Sequence, residues 1–423
     1  MDARTTAPER YLVISADMHG GATVQGYRPY LASRWHDEFD EWAAATPSRW
    51  VENDDSEEAR CRWDSDLRLA RLEEQGICAE LIFPDTQPPF YPSNAVFANQ
   101  PRTSDDYERR MAGLRAHNRW MVDFCAQTPG RRKSPVQIFL YDIDDALAEI
   151  RWGHEAGLPA VLVPAVAPNH PLEGLWSRRY DPIWALCQEL GLPVNQHVGA
   201  GTPDLGRDPA EGAAFMYEVF WYARRSLWNM IFGGVFERFP DLKFVMTEEG
   251  LAWTLPELKR LDYFVNNARN PDLVQSRFGY EAIRALSMKP SEYFYRNCFI
   301  GASSCPPAEI GCRYEVGIER IMWGADYPHP EGTIPHTRAA LRATFADVAA
   351  DECRMMFAEN AANVYGFDLA ALRPIADRIG PTVAEIHEPL DAYPEGSLLP
   401  IYMGPLRPRT GTLTGYSGHV VAV

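Results

Sequence analysis

The sequence has few of the features that mark a secreted, membrane or nucleic-acid-binding protein. Its eight cysteines include no C-x-x-C pair, which is typical of reduced thiols in the cytoplasm. It has no run of about 18 apolar residues, so no spanning helix is expected, and residues 1–10 lack the apolar core of a secretory signal. Basic residues are also outnumbered by acidic residues, 41 to 58. The net charge of −17 argues against nucleic acid and anionic membranes as partners.

What the sequence does contain is an alternation of short apolar runs and helical stretches. Eight apolar runs, each followed by helical sequence, indicate parallel strands, and eight such units predict a closed (β/α)8 TIM barrel. A length of 423 residues accommodates one such barrel with insertions. A doubly wound open sheet is the alternative, but no G-x-G-x-x-G motif follows the first strand to support a dinucleotide site.

Four regions describe the expected organisation of the chain. Residues 1–10 form a polar tail, and residues 11–366 form the barrel. Within the barrel, residues 20–70 are too many for a simple loop and predict a lid-like insertion, and a second insertion follows strand 6. Residues 367–423 are rich in proline and are predicted to be a C-terminal arm that wraps the barrel or a neighbouring subunit. We expect a homodimer or a higher homo-oligomer.

The motif Asp17-Met-His19 ends the first apolar run. Because its two polar residues are two positions apart on a strand, their side chains point the same way. A carboxylate and an imidazole at the mouth of a barrel are suitable ligands for a catalytic Zn²⁺ or Mn²⁺. The motif is weak by itself, since Asp-x-His often occurs by chance.

Later strands supply further candidates at their carboxyl ends, where such barrels locate their chemistry. Strand 5 ends in His197, strand 6 ends in Glu248 and strand 8 ends in Asp326. Any one of these residues is more often a helix cap or a packed side chain, but together they predict a shared site. Asp17, His19, His197 and Asp326 then form a mononuclear site with an open position for water or substrate.

Four segments carry a resemblance to a known family. They are Ser15-Ala-Asp-Met-His19, Asn195-Gln-His197, Phe239–Trp253 and Met322-Trp-Gly-Ala-Asp-Tyr-Pro-His329. Together they resemble the amidohydrolase superfamily, and within it the amidohydrolase-related type 2 branch that includes the aminocarboxymuconate-semialdehyde decarboxylase-like proteins. The resemblance covers roughly residues 11–366. It implies Asp17, His19, His197 and Asp326 as the metal ligands.

Two positions depart from the family pattern. Asp17 stands where members often have histidine or glutamate, which still allows ligation but changes the expected metal preference. Glu248 stands where decarboxylase members have a histidine before a glycine pair. A carboxylate there can act as a base or orient water but cannot be a cationic donor, which weakens the transfer of decarboxylation in particular. The predicted fourth strand, residues 160–165, has no lysine for a carbamate bridge. One divalent ion, zinc or manganese, is therefore expected.

The expected function is a metal-dependent lyase that decarboxylates an aromatic or unsaturated carboxylic acid without oxidation. Asp326, Glu248 and His329 are the predicted catalytic residues, with Asp326 as the proton donor. The first alternative is a metal-dependent hydrolase that uses a metal-bound water on a C–N, C–O or C–C acyl bond. The second is a non-catalytic barrel whose strand-end residues are structural.

The substrate is expected to be a small molecule bound partly by aromatic residues. Tyr27 and Arg28 lie in the predicted lid, where the arginine is a candidate for binding a carboxylate. Trp253 and Tyr327 follow the predicted ends of strands 6 and 8 and are the other candidates for substrate binding.

Overall fold

The computed structural model describes residues 8–46, 56–93, 97–203, 206, 208–270, 272 and 281–406. Its parallel strands are β1 (Ile14–Gly20), β2 (Ala79–Pro84), β3 (Arg132–Lys133), β4 (Pro135–Gln137), β5 (Ala160–Leu162), β6 (Val194–His197), β7 (Phe244–Thr247), β8 (Cys298–Ser303) and β9 (Ile321–Gly324). Since β3 and β4 occupy one strand position, the strands fill eight positions around a barrel. The prediction of a TIM barrel is confirmed.

The barrel closes where β9 returns to β1. The strands pair in the orders β1-β2-β3 and β4-β5-β6-β7-β8-β9. The amide of Asp326 donates to the carbonyl of Asp17 at 2.9 Å, and the amide of His19 donates to the carbonyl of Tyr327 at 2.8 Å. These bonds join the first and last strands next to three of the predicted metal ligands.

Helices cover the outside of the barrel, and local sequence signals set their ends. The side chain of Asp64 accepts from the amide of Leu67 at the start of one helix, and Gly76 ends that helix with φ of 82°. The helices are His36–Ala45, Glu57–Arg60, Ser65–Gln75, Ser104–Ala126, Ile143–Glu155, Asp181–Leu190, Pro209–Phe232, Val235–Arg238, Thr254–Arg269, Glu281–Arg284, Pro290–Asn297, Arg313–Val316, Thr337–Phe345, Ala350–Arg354, Asn360–Tyr365, Leu369–Ile379, Val383–Ile386 and Leu399–Tyr402. None of these described helices has both the length and the apolar character needed to span a bilayer.

An irregularity in β1 determines which of its side chains point into the barrel. The register of β1 against β2 shifts between Ser15 and Met18. Ala16 and Met18 are two positions apart, yet Ala16 belongs to the apolar cluster inside the barrel and Met18 to the cluster beneath the helices. The shift reverses the usual alternation, so that Asp17 and His19 face the interior, as Ala16 does.

The C-terminal extension packs against the amino-terminal end of the barrel. The amide of Tyr11 donates to the carbonyl of Pro381 at 2.9 Å. Leu372 belongs to the same buried cluster as Leu12, which lies just before β1. The part of the predicted arm at 407–423 lies outside the described residues, as do residues 1–7 of the predicted tail.

The described part of the predicted insertion at 20–70 packs on the loop after β2. Two turns of 3-10 helix, Gln25–Tyr30 and Ser33–Trp35, lead into the helix that contains Phe39. The ring of Phe39 lies edge-on to that of Phe90, with centroids 6.2 Å apart. Residues 47–55 of the predicted insertion lie outside the described residues.

Candidate metal centre and active site

A buried group of carboxylates and imidazoles lies at the carboxyl ends of β1, β6 and β7. One ligand atom from each of Asp17, His19, His197 and Glu248 lies within 4.8 Å of the others. The Nε2 atom of His197 lies 3.4 Å from a carboxylate oxygen of Asp17 and 3.4 Å from one of Glu248. Two nitrogen and two oxygen donors in so small a space suit a divalent ion such as zinc or manganese.

Asp326 and His329, from the segment after β9, meet this group at His19. Oδ1 of Asp326 lies 3.2 Å from Nε2 of His19, and Nδ1 of His329 donates to the same oxygen at 2.8 Å. The rings of His19 and His329 are 4.0 Å apart at an angle of 32°. Glu248 and Glu331 each offer an oxygen within 4.8 Å of Asp326 and His329. The predicted ligands and catalytic residues therefore lie in adjoining groups that share His19 and Glu248. Glu248 completes the group of Asp17, His19 and His197, whereas Asp326 groups with His19 and His329.

The ring of His197 is held in an orientation suited to ligation. Its Nδ1 atom donates to the carbonyl of Val198 at 2.9 Å, which leaves Nε2 facing Asp17 and Glu248. The ring of Phe83 packs beside it with centroids 4.8 Å apart. A histidine whose second nitrogen is bound to a carbonyl presents a fixed lone pair, as metal-binding histidines commonly do.

Beyond His329 the polar contacts continue to Asp85 and Arg62, which were not predicted. Nε2 of His329 lies 3.4 Å from Asp85, and Nε of Arg62 donates to the other oxygen of Asp85. Both residues are buried. Burial opposes ionisation of Asp85, but His329 and Arg62 outweigh it and hold the pKa of Asp85 far below its usual value. Asp85 directly follows β2, so its strand-end position was the signal that could have identified it.

Ser303 is a second contact that the sequence did not reveal. It is the last residue of β8, and its hydroxyl donates to Oδ2 of Asp17. Asp17 is fully buried, and its other oxygen faces His19 and His197. Ser303 therefore fixes the direction in which this carboxylate presents its second oxygen.

The backbone is strained at two of the strand ends. Glu248 and Asp326 have φ of 64° and 56°, in the left-handed region that residues other than glycine rarely adopt. Their amides are nevertheless bonded, Glu248 to the carbonyl of Gly301 at 3.0 Å and Asp326 to that of Asp17 at 2.9 Å. Such conformations cost about 1–3 kcal/mol each and occur most often at functional sites. Here they place two carboxylates at the cluster.

The residues of the cluster fit a divalent cation. His19 is buried, and neither of its ring nitrogens has a hydrogen-bond partner among the described residues. Burial and the neighbouring His329 lower the pKa of His19, which favours the neutral ring with one nitrogen lone pair available. Burial, followed by the charges of Asp326 and Asp17, raises the pKa of Glu248 well above its usual value. Crowded carboxylates beside an unpartnered imidazole are an arrangement that a cation stabilises.

None of the four residues predicted to bind substrate belongs to the cluster or to the groups of candidate ligands beside it. Tyr27 is completely buried, and its hydroxyl lies 2.8 Å from Thr86 Oγ1 and from Nδ1 of His117. Arg28 forms an ion pair at the surface with Asp40, at 2.7 Å.

The other two candidates contact arginine side chains. Tyr327 is buried, with its ring 5.9 Å from the guanidinium of Arg68. Trp253 is partly buried, with its ring 4.9 Å from the guanidinium of Arg224.

A pocket that is open to solvent lies beside His197. Most of the described residues in its wall are apolar or aromatic, and among them only His197 has an acidic, basic or imidazole side chain. The lining residues are Tyr91, Ala98, Gln100, Leu114, Gln137, Ile138, Phe139, Leu162, Val163, Pro164, His197 and Ala200. Because His197 belongs to both the pocket and the cluster, the two lie next to each other.

The fold and the cluster define a metal-dependent barrel enzyme. The amidohydrolase family model matches residues 83–367, which is more than half of the chain. The chain therefore belongs to the amidohydrolase family. The matched segment begins within β2, so that Asp17 and His19 lie outside it, and their place in the site rests on the geometry described above.

Solved structures of similar fold include three decarboxylases. A 5-carboxyvanillate decarboxylase from Novosphingobium aromaticivorans, with bound manganese and 3-methoxy-4-hydroxy-5-nitrobenzoic acid, is 22% identical over 86% of this chain and 100% of that chain, with a TM-score of 0.65. The 5-carboxyvanillate decarboxylase of Sphingomonas paucimobilis is 20% identical over 85% of this chain and 100% of that chain, with a TM-score of 0.60. A dihydroxybenzoic acid decarboxylase from a Polaromonas species, with bound manganese and 2-nitroresorcinol, is 18% identical over 84% of this chain and 97% of that chain, with a TM-score of 0.61. At these identities the likeness concerns the fold.

Proposed function

We propose that the protein is a divalent-metal-dependent lyase that releases CO₂ from an aromatic carboxylic acid. The observation that carries the proposal is the buried cluster of Asp17, His19, His197 and Glu248, joined by Asp326, at the mouth of an amidohydrolase barrel. Structural neighbours that decarboxylate aromatic acids support it. An apolar pocket with two aromatic rings in its wall, next to the cluster, suits the ring of such a substrate.

Asp17, His19, His197 and Asp326 would hold the single ion, zinc or manganese. When bound, such an ion neutralises the buried carboxylates and attracts the carboxylate of the substrate together with a neighbouring oxygen. The fixed lone pair of His197 and the hydroxyl of Ser303 on Asp17 orient the ligands before the ion arrives. The chain thus provides a preorganised site rather than one that forms on binding.

Asp326 and His329 are placed to deliver the proton that decarboxylation requires. The proton of their 2.8 Å hydrogen bond passes to the ring carbon that carries the carboxylate. The bond between this carbon and the carboxylate then breaks, its electron pair returns to the ring, and CO₂ leaves. Asp85, held by Arg62, keeps the imidazole of His329 in position.

Hydrolysis is a second candidate, and one observation favours it. Glu248 lies 3.4 Å from Nε2 of His197, at a position where a carboxylate can accept a proton from an attacking water. Its strained backbone directs it into the cluster. In this case the product acid would contain an oxygen atom from the solvent, whereas decarboxylation would add a solvent hydrogen to carbon.

The experiment that tests the proposal follows isotopes from the solvent. Manganese-loaded protein is incubated with a panel of hydroxylated benzoic acids in D₂O, and with aryl esters and amides in H₂¹⁸O. We expect CO₂ release and one deuterium at the former carboxyl carbon, detected by mass spectrometry. Incorporation of ¹⁸O from the esters or amides without CO₂ release from the acids would replace the lyase with the hydrolase.

A pair of histidine variants tests whether the activity belongs to the cluster. We expect His197→Ala to lose bound manganese and CO₂ release together, because it removes a central ligand. His154→Ala, on the exposed side of the helix Ile143–Glu155, is the matched control and should keep both. An active His197→Ala variant without metal would refute a metal-dependent reaction at this site.

A further inference from the structure

The pocket beside His197 contains two buried polar groups that the contacts within the protein do not use. The amide nitrogen Nε2 of Gln137 and the hydroxyl of Tyr91 have no hydrogen-bond partner among the described residues. Gln137 is 6% exposed and Tyr91 is 2% exposed, so water satisfies neither of them freely. Buried polar groups left without a partner are costly, which makes them candidates for ligand contacts.

The fold directs Gln137 inwards and holds it there. Its neighbour Val136 faces outwards, where it packs so closely on the helix Ile143–Glu155 that a Cβ at Gly153 would come within 2.8 Å of it. Adjacent strand residues point to opposite sides, so Gln137 faces the interior. The side chain of Asn118 accepts from the amide of Gln137 and donates to its carbonyl, each at 3.0 Å. The backbone of Gln137 is therefore fixed before any ligand binds.

Tyr91 is fixed on the other side by aromatic and cationic contacts. Its ring stacks on Phe139 with centroids 5.8 Å apart and an angle of 24°, and the guanidinium of Arg110 lies 4.7 Å from the Tyr91 ring. Arg110 is itself bonded to the carbonyl of Asn99 at 2.6 Å. Tyr91 and Phe139 both line the pocket, and Arg110 is not among the lining residues.

The chemistry of the pocket indicates which part of a substrate it receives. Apart from His197, the side chains in its wall are neutral under physiological conditions and include no lysine or arginine to pair with an anion. Its two unpartnered polar groups, Nε2 of Gln137 and the hydroxyl of Tyr91, are neutral and can each donate a hydrogen bond. A neutral aromatic ring with a substituent that accepts hydrogen bonds would satisfy both Gln137 and Tyr91. The acid group of the same substrate would then lie at the cluster, beside His197.

We propose that this pocket is a specificity subsite in which Gln137 and Tyr91 bind an acceptor substituent, such as a methoxy or carbonyl oxygen, on a neutral aromatic ring. The inference rests on the proposed function for the orientation of the substrate, but binding to the subsite requires no turnover. The two residues select the substrate, and neither takes part in the transfer of the proton.

The test compares two probes of nearly equal size, 2-methoxyphenol and 2-ethylphenol, by calorimetry on the manganese-loaded full chain. The substituents differ at one atom, an oxygen in 2-methoxyphenol and a methylene in 2-ethylphenol, so tighter binding of 2-methoxyphenol reports the acceptor oxygen. We expect 2-methoxyphenol to bind about tenfold more tightly, the effect of one hydrogen bond in a buried site. Equal affinity of the two probes, or binding of neither, would overturn the subsite.

Variants connect this preference to the two residues. Gln137→Leu and Tyr91→Phe should each reduce the preference for 2-methoxyphenol while leaving the thermal unfolding midpoint unchanged or higher, because each removes an unpaired buried polar group. A residue with a merely structural role would lower the midpoint instead. Gln127→Leu, at an exposed position, is the matched control and should keep the preference.

A preference that persists in both subsite variants would overturn the assignment. If the preference is confirmed but no acid on the panel releases CO₂, the subsite remains and the proposed decarboxylation fails. The two proposals are therefore tested separately.

Discussion

Gly324 and Asp17 are so close that a Cβ atom at position 324 would lie 2.6 Å from the Cβ of Asp17. The seam between β9 and β1 thus requires glycine at this point. We predict that Gly324→Ala displaces Asp17 and weakens manganese binding about tenfold, as changes next to metal ligands commonly do. Calorimetric titration with manganese would measure the effect.

Gly212→Ala provides the matched control for this substitution. Gly212 lies in the helix Pro209–Phe232, where an added Cβ would meet no atom within 4 Å. This variant should bind manganese as the unchanged protein does. Normal affinity in a folded Gly324→Ala variant would show that the close approach of the strands does not position Asp17.

We predict that Glu248→Gln keeps its metal and loses any hydrolytic activity. The amide has nearly the same shape as the carboxylate, and the four proposed ligands remain, so metal content should not change. Hydrolytic turnover should fall about a hundredfold or more, because the amide cannot accept a proton from the attacking water, whereas CO₂ release, whose proton comes from Asp326 and His329, should be retained. Metal analysis and turnover are measured on the same sample, with Glu281→Gln, at an exposed position, as the control. Loss of the metal would reassign Glu248 as a ligand.

Asp85→Asn should lower the rate without emptying the metal site. The asparagine can still bond to His329, but it lacks the negative charge that pairs with this ring and with Arg62. Because His329 contacts Asp326, the orientation of the proton donor should suffer, and we expect a decrease in kcat of roughly tenfold to hundredfold. Manganese content measured alongside kcat separates positioning from ligation. An unchanged kcat would remove Asp85 from the proposed mechanism.

His117 should make stability depend on pH between about 3 and 6.5. Burial lowers its pKa from 6.5 to about 3 in the folded protein. Between these values the unfolded chain binds more protons than the folded chain, so the free energy of unfolding falls as the pH is lowered through this range. Urea denaturation at pH 7 and pH 5 measures the loss. His117→Asn, which can retain a polar contact with Tyr27, should show a smaller difference between the two pH values, and an equal difference would contradict the assignment.

Much of the barrel was predictable because strand and helix periodicity is local. The third strand position departs from the simple pattern. The sequence predicts one strand over residues 134–140, whereas the structure has β3 before Ser134 and β4 from Pro135 onwards. Proline has no N–H to donate to a neighbouring strand, so the ladder is interrupted there. Sequence periodicity located the strand but not this break.

The candidate site was predictable to the extent that its residues stand at strand ends. Asp17, His197 and Asp326 each follow or end an apolar run, and the structure places them in or beside one cluster. Asp85 also follows a strand, but only the packing of the insertion reveals its contact with Arg62. The two polar groups of the subsite were not predictable, because whether a buried group has a partner depends on the tertiary structure.

The seam between β1 and β9 also has a consequence for synthesis of the protein. Asp17 and Asp326 lie on the first and last strands and are joined by a backbone hydrogen bond of 2.9 Å. While the chain is being translated, the ribosome must therefore release nearly all of the barrel before these two residues can meet. A nascent chain arrested before β9 has emerged should therefore fail to retain the divalent metal ion. Metal binding must then follow translation of the barrel.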